Sequence, residues 1–359
     1  MAFSKIQFIA YCVYIGSNKS LPHAPGAQYP GLSDIPTDIA RRCQLMASAA
    51  SLAHSHPLVS KDKSVLKIFV APEFFFRGPK GAYSMEQYQE SLAALQAFAS
   101  NEKYSDWLFV FGSTIATADP DVRLPANPLE WKTAEVYNIV IAQQGGVGEA
   151  GCRIIMKEVV SSLDFMQTRP GEEMIPKELM VYPEAAKASG VGRERQKRNY
   201  GGEGIFEVAD ICFGVEICAD HYEQRLRKSA VARGEARVQI QIIPSAGAYI
   251  TAKSVIAVVG GLVLNCDGLR STASVYAPGG VSGHSDMKVV TTAATGKEPA
   301  VMDTVAPLGY MEMSPQSNEV ARGVFFEGAG QLHFYPARDT PIASTRSKAK
   351  FWADYKATE

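Results

Sequence analysis

Cys218 is the side chain in this sequence best placed to act as a nucleophile. It follows the apolar run 211–217, which predicts a buried strand. After it, Asp220 leads into a segment that becomes basic, which predicts the first turns of a helix. A thiol at the amino end of a helix is biased toward the thiolate form. We therefore expect a reactive cysteine on a strand-to-helix turn, a feature that also occurs in proteases, redox sites and buried cores.

Two charged side chains follow apolar runs in the same way. Glu73 comes after the run 65–71 and precedes three phenylalanines, so desolvation is expected to raise its pKa and suit it to act as a base. Lys157 comes after the run 153–156 and on its own would be interpreted as a surface residue. The carboxyl ends of strands gather at one sheet edge in α/β proteins, so we expect one site containing all three residues.

Length and composition indicate a globular protein. The chain has 359 residues, 46% of them hydrophobic, and a formal charge of -1 gives no sign of nucleic-acid binding. Six cysteines without Cys-x-x-Cys pairs indicate neither a zinc ribbon nor a disulfide framework. No segment has the roughly 18 apolar residues of a membrane helix, and 6–15 is interpreted as a buried strand rather than a signal peptide. We expect a cytoplasmic protein with no membrane and no nucleic-acid partner.

Predicted strands and helices alternate along the chain, which favours a layered α/β domain. Strands are predicted at 6–14, 65–71, 108–114, 136–142, 153–156, 204–208, 211–217, 238–243, 262–266, 273–278, 288–292 and 323–326. Helices are predicted at 37–53, 84–100, 220–233 and 251–259. The simplest organisation is a single domain over 1–359, with insertions at about 16–36 and 165–203 and a C-terminal extension from about 336. The basic cluster at 193–198 indicates either a solvated loop or an anion-binding lid.

The three residues and their neighbours resemble the nitrilase superfamily of carbon–nitrogen hydrolases. The family's Glu-Lys-Cys triad is matched by Glu73 in Ala-Pro-Glu-Phe, Lys157 in Met-Lys-Glu, and Cys218 in Gly-Val-Glu-Ile-Cys-Ala-Asp. The last run is most similar to the glutaminase-type branches. Over roughly residues 5–335, the resemblance implies an α-β-β-α sandwich of two stacked mixed sheets flanked by helices. It also implies a homodimer or higher homo-oligomer, and we expect neither a metal nor a cofactor.

The resemblance implies a role for each residue. Glu73 takes the thiol proton as Cys218 attacks an amide or nitrile carbon, then protonates the departing nitrogen. Lys157 stabilises the oxyanion, with the backbone N–H of Ala219 as the second donor. After ammonia or an amine leaves, Glu73 activates the water that hydrolyses the thioester.

Some positions depart from the family pattern. A second glutamate often stands seven or eight residues after the lysine, where this sequence has Asp164, either a shorter replacement or a structural residue. Ala219 replaces the larger residue that many relatives carry after the cysteine. The spacing of 61 positions between Lys157 and Cys218 includes the insertion at 165–203, which we interpret as a substrate lid.

Other side chains are weaker candidates for contact with a substrate. They are Phe74, Phe75, Phe76, Ser245 and Tyr249. His221 suggests a Cys-His dyad, but a helix leaving the turn would point it away from the thiol. His54 and His56 suggest a metal site, yet with no third ligand nearby a solvated loop is the better interpretation.

Three functions are compatible with these residues. The leading one is hydrolysis of a carboxamide or ureido carbon–nitrogen bond in a small molecule, with nitriles as a variant. The second is acyl transfer from Cys218 to an amine acceptor, and the third is a catalytically inactive binding scaffold. The residues do not identify the substrate.

Overall fold

Two mixed β-sheets pack face to face in the computed structural model. It describes residues 3–17, 28–79, 81–117, 134–159, 161, 180–181, 204–228, 238–269, 283–295 and 298–342. The first sheet has ten strands and the second has six. Each is parallel at its centre and antiparallel at its flanks, because β1, β2 and β4 run together in one sheet and β9, β10 and β11 in the other.

The first sheet has the order β14-β15-β1-β2-β4-β5-β6, while β16 pairs with β1, β3 with β4 and β7 with β5. Its strands are β1 (Lys5–Cys12), β2 (Val65–Val70), β3 (Tyr83–Ser84), β4 (Trp107–Thr117), β5 (Ala134–Gln144), β6 (Cys152–Met156), β7 (Met180–Val181), β14 (Gly309–Glu312), β15 (Gln331–Phe334) and β16 (Arg338–Asp339). The second sheet has the order β13-β12-β11-β10-β9-β8. Its strands are β8 (Ile205–Val208), β9 (Ile211–Val215), β10 (Ile240–Ser245), β11 (Leu262–Asp267), β12 (His284–Thr292) and β13 (Val301–Val305).

The central strands are buried on both faces, which explains their continuous apolar runs. Along β1, Phe8 and Ala10 point into the core between the two sheets, and Ile9 and Tyr11 point into the core beneath the helices. This is the period of two that a strand imposes on its side chains. Each central strand of the first sheet therefore separates the core between the sheets from the core beneath the helices.

Two long helices and a short one cover the outer face of the first sheet. α1 (Ile35–Ser55) starts at Asp34, which accepts the N–H of Thr37, and α2 (Met85–Ala99) starts at a capping box of Ser84 and Gln87. α4 (Pro315–Ala321) packs beside α1. The outer face of the second sheet is covered by the segment after Cys218, which includes the four-residue helix α3 (Ala219–Tyr222), and by residues 250–258.

The predicted fold class, two mixed sheets flanked by helices, is confirmed. The strands predicted up to residue 266 agree with the structure to within a few residues, as do the helices at 37–53 and 84–100. β7 at 180–181 was missed, however, and it lies inside the region predicted as an insertion. The predicted strand 273–278 lies outside the described residues.

Three predictions about local structure are wrong. The helix at 220–233 is interrupted at Gln224, whose φ is 58°, and only a 3-10 turn forms within 251–259. Residues 323–326, which the structure describes, do not form the predicted strand. Gly323 has a φ of 77°, which turns the backbone at this point. Residues 18–27 of the loop predicted at about 16–36 lie outside the described residues, and α1 begins at Ile35, near its expected end.

A bulge in β4 supports the turn after β2. The register between β4 and β5 shifts between Val110 and Ser113, and Gly112 within it has a φ of 74°. The carbonyl of Pro72 accepts the N–H of Ser113 at 3.3 Å, and the Ser113 hydroxyl accepts the N–H of Phe74 at 2.9 Å. Glu73 lies between these two contacts, so the bulge fixes its position.

Replacing Gly112 by alanine should therefore destabilise the protein and displace Glu73. An added Cβ would lie 2.3 Å from the Pro72 carbonyl oxygen, in a backbone conformation that alanine rarely adopts. We expect Gly112→Ala to lower the free energy of unfolding by at least about 2 kcal/mol in urea denaturation. Gly148→Ala is the matched control, because no atom lies within 4 Å of its added Cβ. Equal stability of the two variants would contradict this role for Gly112.

Candidate active site

Glu73, Lys157 and Cys218 come together where the two sheets meet. Glu73 follows β2 and Lys157 follows β6, both in the first sheet, whereas Cys218 follows β9 in the second. The Lys157 ammonium donates to Glu73 Oε1 at 2.9 Å, and both side chains are fully buried. Cys218 is 5% exposed, and its thiol lies close enough to both charges for each to shift its pKa. The three strand ends thus form one site between the sheets, rather than at the edge of one sheet.

Asn138 is a further member of the site that the sequence did not reveal. From the middle of β5, its Nδ2 donates to the same Glu73 oxygen that accepts from Lys157, at 2.8 Å. Its backbone carbonyl accepts the backbone N–H of Lys157 at 2.9 Å. The side chain of Asn138 therefore orients the carboxylate of Glu73, and its backbone holds the main chain at Lys157. The signal for it is a lone amide inside the apolar run 136–142.

The thiol of Cys218 is not biased toward thiolate, contrary to the sequence-based prediction. Burial raises its pKa well above the usual value, and the negative charge of Glu73 raises it further. Lys157 and the contact with the Ala246 carbonyl lower the pKa of Cys218, but by less than burial and Glu73 raise it. The helix after the thiol has only four residues, too short for a large dipole effect. Near neutral pH the resting residue is a neutral thiol.

Cys218 has a strained backbone at the turn between β9 and α3. Its φ of 47° and ψ of -103° are outside the regions that non-glycine residues favour. The surroundings hold it there: its N–H donates to the Pro244 carbonyl at 3.1 Å, and its carbonyl accepts the N–H of His221 at 2.9 Å. Such strain, costing roughly 1–3 kcal/mol, is concentrated at functional sites. Its effect here is to present the thiol at the end of the strand.

Ala219 is the first residue of α3, where backbone N–H groups have no acceptor within the helix. Across the described parts of the chain, no group accepts a hydrogen bond from its N–H. The donor follows the nucleophile directly. An oxyanion formed on a group bound to Cys218 would therefore have this N–H and the Lys157 ammonium as neighbouring donors.

Asp220 ties the segment after Lys157 to the segment after Cys218. Its buried carboxylate accepts the N–H groups of Glu158 at 3.1 Å and of Val159 at 2.7 Å. Arg225 lies beside it, with Nε at 3.9 Å, and forms a 2.6 Å ion pair with Glu158. Burial raises the pKa of Asp220 to about 7, although Arg225 opposes the shift. The sequence indicated only a helix-terminal acid at this position.

The three phenylalanines after Glu73 share one core but differ in what they contact. Phe74 has a φ of 60°, and its ring centre lies 5.8 Å from the Lys157 ammonium nitrogen, at the site. All three rings belong to the core beneath the helices, where Phe75 contacts Tyr11. Of the three, Phe74 is the one that lies beside the charged pair.

Ser245 and Tyr249 flank the turn that carries Ala246, whose carbonyl is 3.8 Å from the Cys218 sulfur. The hydroxyl of Ser245 contacts the buried side chains of Asn265 at 2.7 Å and Asp267 at 2.6 Å. Tyr249 is 67% exposed. Ser245 thus belongs to a polar network under the turn, and Tyr249 projects from it. Asp164 and most of the region 165–203, including the basic cluster, lie outside the described residues.

None of the three histidines considered above contacts the thiol. His221 points away from Cys218, as expected, and its Nδ1 lies 2.6 Å from Glu216 Oε1. His56 stacks on Phe334, with ring centres 4.2 Å apart, and His54 packs against Tyr104. The described ranges contain no cluster of three or more metal-binding side chains. No helix in those ranges has the length and apolar character needed to cross a membrane.

The buried Asp220 should make stability depend on pH in a predictable direction. Because its folded pKa is raised from 3.8 to about 7, it contributes stability at acidic pH that is lost as the pH rises to about 7. We expect the stability difference between pH 5 and pH 8 in urea unfolding to shrink by on the order of 2 kcal/mol in Asp220→Asn. Asp210→Asn, at an exposed position in a turn, is the control. An unchanged difference in Asp220→Asn would rule out the raised pKa.

Some solved structures have a distant likeness to this chain. Nit3 of Saccharomyces cerevisiae, a member of branch 10 of the nitrilase superfamily, is 18% identical over 96% of this chain and 97% of its own, with a TM-score of 0.41. An amidase from Nesterenkonia sp. is 12% identical over 95% of this chain and 92% of its own, with a TM-score of 0.39. A mutant of a Nesterenkonia sp. amidase in complex with butyramide is 11% identical over 100% of this chain and 94% of its own, with a TM-score of 0.38. No protein-family model and no curated protein matches the sequence.

Proposed function

We propose that this chain is a cysteine-dependent carbon–nitrogen hydrolase of the nitrilase superfamily, acting on a small carboxamide through a thioester intermediate. The observation that carries the proposal is the fully buried ion pair of Glu73 and Lys157 beside the thiol of Cys218. A carboxylate, an ammonium group and a thiol held together away from water provide a base, an oxyanion donor and a nucleophile. A binding scaffold has no need of that combination, which carries a desolvation penalty.

The protonation state of the thiol determines the first step. Because the resting thiol is neutral, its proton must leave as the sulfur attacks the carbonyl carbon. Glu73 is the carboxylate whose charge raises the pKa of Cys218, and it is therefore the base within reach. The carbon–sulfur bond forms, the carbonyl electrons move to oxygen, and Glu73 holds the proton.

The tetrahedral oxyanion then has two donors. Lys157 loses part of its attraction to Glu73 once that carboxylate is protonated, so its ammonium group is available to the new negative charge. The N–H of Ala219 is the second donor. Collapse of the intermediate breaks the carbon–nitrogen bond as Glu73 returns its proton to the leaving nitrogen. A thioester on Cys218 and free ammonia or amine result.

Hydrolysis of the thioester restores the enzyme. Glu73, again a carboxylate, takes a proton from a water molecule that attacks the thioester carbon, and the proton passes to the Cys218 sulfur as the carbon–sulfur bond breaks. An amine acceptor in place of water would give acyl transfer from the same intermediate. The two outcomes differ only in the second nucleophile.

Loss of the thiol should abolish both the intermediate and turnover. We expect the wild type to release ammonia from at least one of acetamide, butyramide and L-glutamine, and to show an acyl adduct by intact-mass spectrometry after rapid acid quench. Cys218→Ala should show neither. Cys43→Ala, a half-buried cysteine on α1, should behave as wild type. Absence of ammonia and adduct with the wild type across amides and the matching nitriles would refute the proposal.

The same assay distinguishes hydrolysis from transfer. With hydroxylamine present, a hydrolase should still form mainly the carboxylic acid at low acceptor concentration. A transferase should form hydroxamate almost exclusively and release little acid without the acceptor. The ratio of carboxylic acid to hydroxamate, measured by mass spectrometry, distinguishes the two reactions. We expect the enzyme to form the acid when no acceptor is present.

Removal of the base should slow acylation. Glu73→Gln keeps the shape of the side chain but cannot accept the thiol proton, so we expect the acylation rate to fall by roughly 100- to 10,000-fold. Glu207→Gln, at an exposed position on β8, is the matched control and should retain the wild-type rate. Rapid-quench measurement of adduct formation gives the rate. A loss of less than about tenfold would exclude Glu73 as the base.

A further inference from the structure

The residues from 246 to 251, here called the site loop, form neither helix nor strand but contact the nucleophile. The carbonyl of Ala246 lies 3.8 Å from the Cys218 sulfur and orients its S–H. Ala246, Ala248 and Ile250 are buried, while Tyr249 is exposed. Because no regular backbone ladder holds this loop, side chains from neighbouring elements must set its position relative to the thiol.

The start of the loop is held by β11. Asp267 accepts the N–H of Gly247 at 2.5 Å, and Asn265 donates to the carbonyl of Ala248 at 2.7 Å. Both side chains are fully buried. These contacts fix the residues next to Ala246, but they do not reach the far end of the loop.

The far end is held by α3, the turn of helix that follows Cys218 itself. Nε2 of His221 accepts the N–H of Thr251 at 2.8 Å, and the hydroxyl oxygen of Tyr222 accepts the N–H of Tyr249 at 3.1 Å. The nucleophile and the wall beside it are therefore linked through the side chains of α3. A shift of the helix or of the loop would change the distance and orientation between the Ala246 carbonyl and the thiol of Cys218.

The partners of His221 define its tautomer. The N–H of Thr251 is a donor, so Nε2 carries a lone pair, and Nδ1 therefore carries the hydrogen that is donated to Glu216 at 2.6 Å. Glu216 is fully buried and also accepts from Gln241 at 2.6 Å and from the N–H of Leu226 at 3.2 Å. His221 is thus a neutral ring that donates a hydrogen bond from Nδ1 and accepts one at Nε2.

We propose that His221 is a positioning residue for Cys218: anchored on Glu216, it holds the site loop through the N–H of Thr251. It transfers no proton in the reaction. Its effect on catalysis rests on the proposed function, whereas its hold on the loop does not.

The two partners of His221 differ in whether they keep a hydrogen bond when His221 is replaced. Glu216 has two other donors, so it stays hydrogen-bonded without His221. In the described parts of the chain, the N–H of Thr251 has His221 as its acceptor. This N–H is partly buried, and a donor shielded from water is costly to leave without an acceptor, so the contact with the loop is the more sensitive of the two.

Two amide variants separate these contacts. The amide of glutamine reaches the position of Nε2, so His221→Gln keeps an acceptor for Thr251 and gives up the contact with Glu216. The amide of asparagine reaches only the position of Nδ1, so His221→Asn does the reverse. A role in holding the loop predicts that the glutamine variant is the more active, and a role confined to supporting Glu216 predicts the opposite.

Hydrogen exchange and kinetics test the proposal together. In His221→Asn we expect exchange of the loop amides, followed by mass spectrometry of a peptide covering 246–251, to be about tenfold faster or more. In His221→Gln it should stay within about threefold of wild type. With the amide that the wild type hydrolyses best among acetamide, butyramide and L-glutamine, kcat of the asparagine variant should fall at least about tenfold below that of the glutamine variant, with KM little changed.

Matched controls and a second variant complete the test. His54→Asn and His54→Gln, on α1, should match wild type in both measurements. If the wild type hydrolyses no amide, the proposed function fails and the exchange data alone decide the inference. If His221→Asn does not fold, Tyr222→Phe decides instead, with faster exchange of the Tyr249 amide expected. Equal protection of the loop in the asparagine and glutamine variants, or unchanged exchange in Tyr222→Phe, would overturn the proposal.

Discussion

The buried ion pair between Glu73 and Lys157 constrains most of the structure around it. Two charges removed from water are tolerated only where their geometry is good and their remaining hydrogen-bonding capacity is used, and loss of one partner typically costs about 3–5 kcal/mol. Rigid strands meet this requirement better than loops. The bulge at Gly112 fixes the turn that carries Glu73, Asp220 fixes the backbone after Lys157, and Asn138 contacts both partners.

The pair also explains how a buried cysteine can be reactive without being a thiolate. A thiolate beside Glu73 would add a second negative charge to a site with one cation, so the resting thiol keeps its proton. Attack transfers that proton to Glu73, and the net charge of the site is then the same as before. The strained backbone at Cys218 and the carbonyl of Ala246 aim the sulfur instead of ionising it. Reactivity in this account comes from the neighbouring base and from orientation.

Much of the architecture could be predicted from the sequence, because strands buried on both faces leave continuous apolar runs that end on polar residues. The strand ends at Glu73, Lys157 and Cys218 were visible for this reason. The break at Gln224 was not, because a positive φ there depends on packing rather than on the local pattern. Asn138, Asp220 and His221 act through partners distant in the chain, and no spacing rule connects them. The thiolate prediction failed because local sequence shows a helix start but does not show complete burial.

The protonation state of Cys218 is the most direct test of this account. Ultraviolet thiolate absorbance, measured against pH for the wild type and for Glu73→Gln and corrected by subtracting Cys218→Ala, reports it. The wild type should show no Cys218 thiolate up to at least the ordinary thiol pKa of 9.0, because burial and Glu73 both raise the pKa. Glu73→Gln should form thiolate at lower pH than the wild type, because Lys157 is left as the neighbouring charge, and yet it should react more slowly with amides. A wild-type thiolate that titrates below about pH 7, within the range of thiols activated by a neighbouring cation, would contradict the central claim.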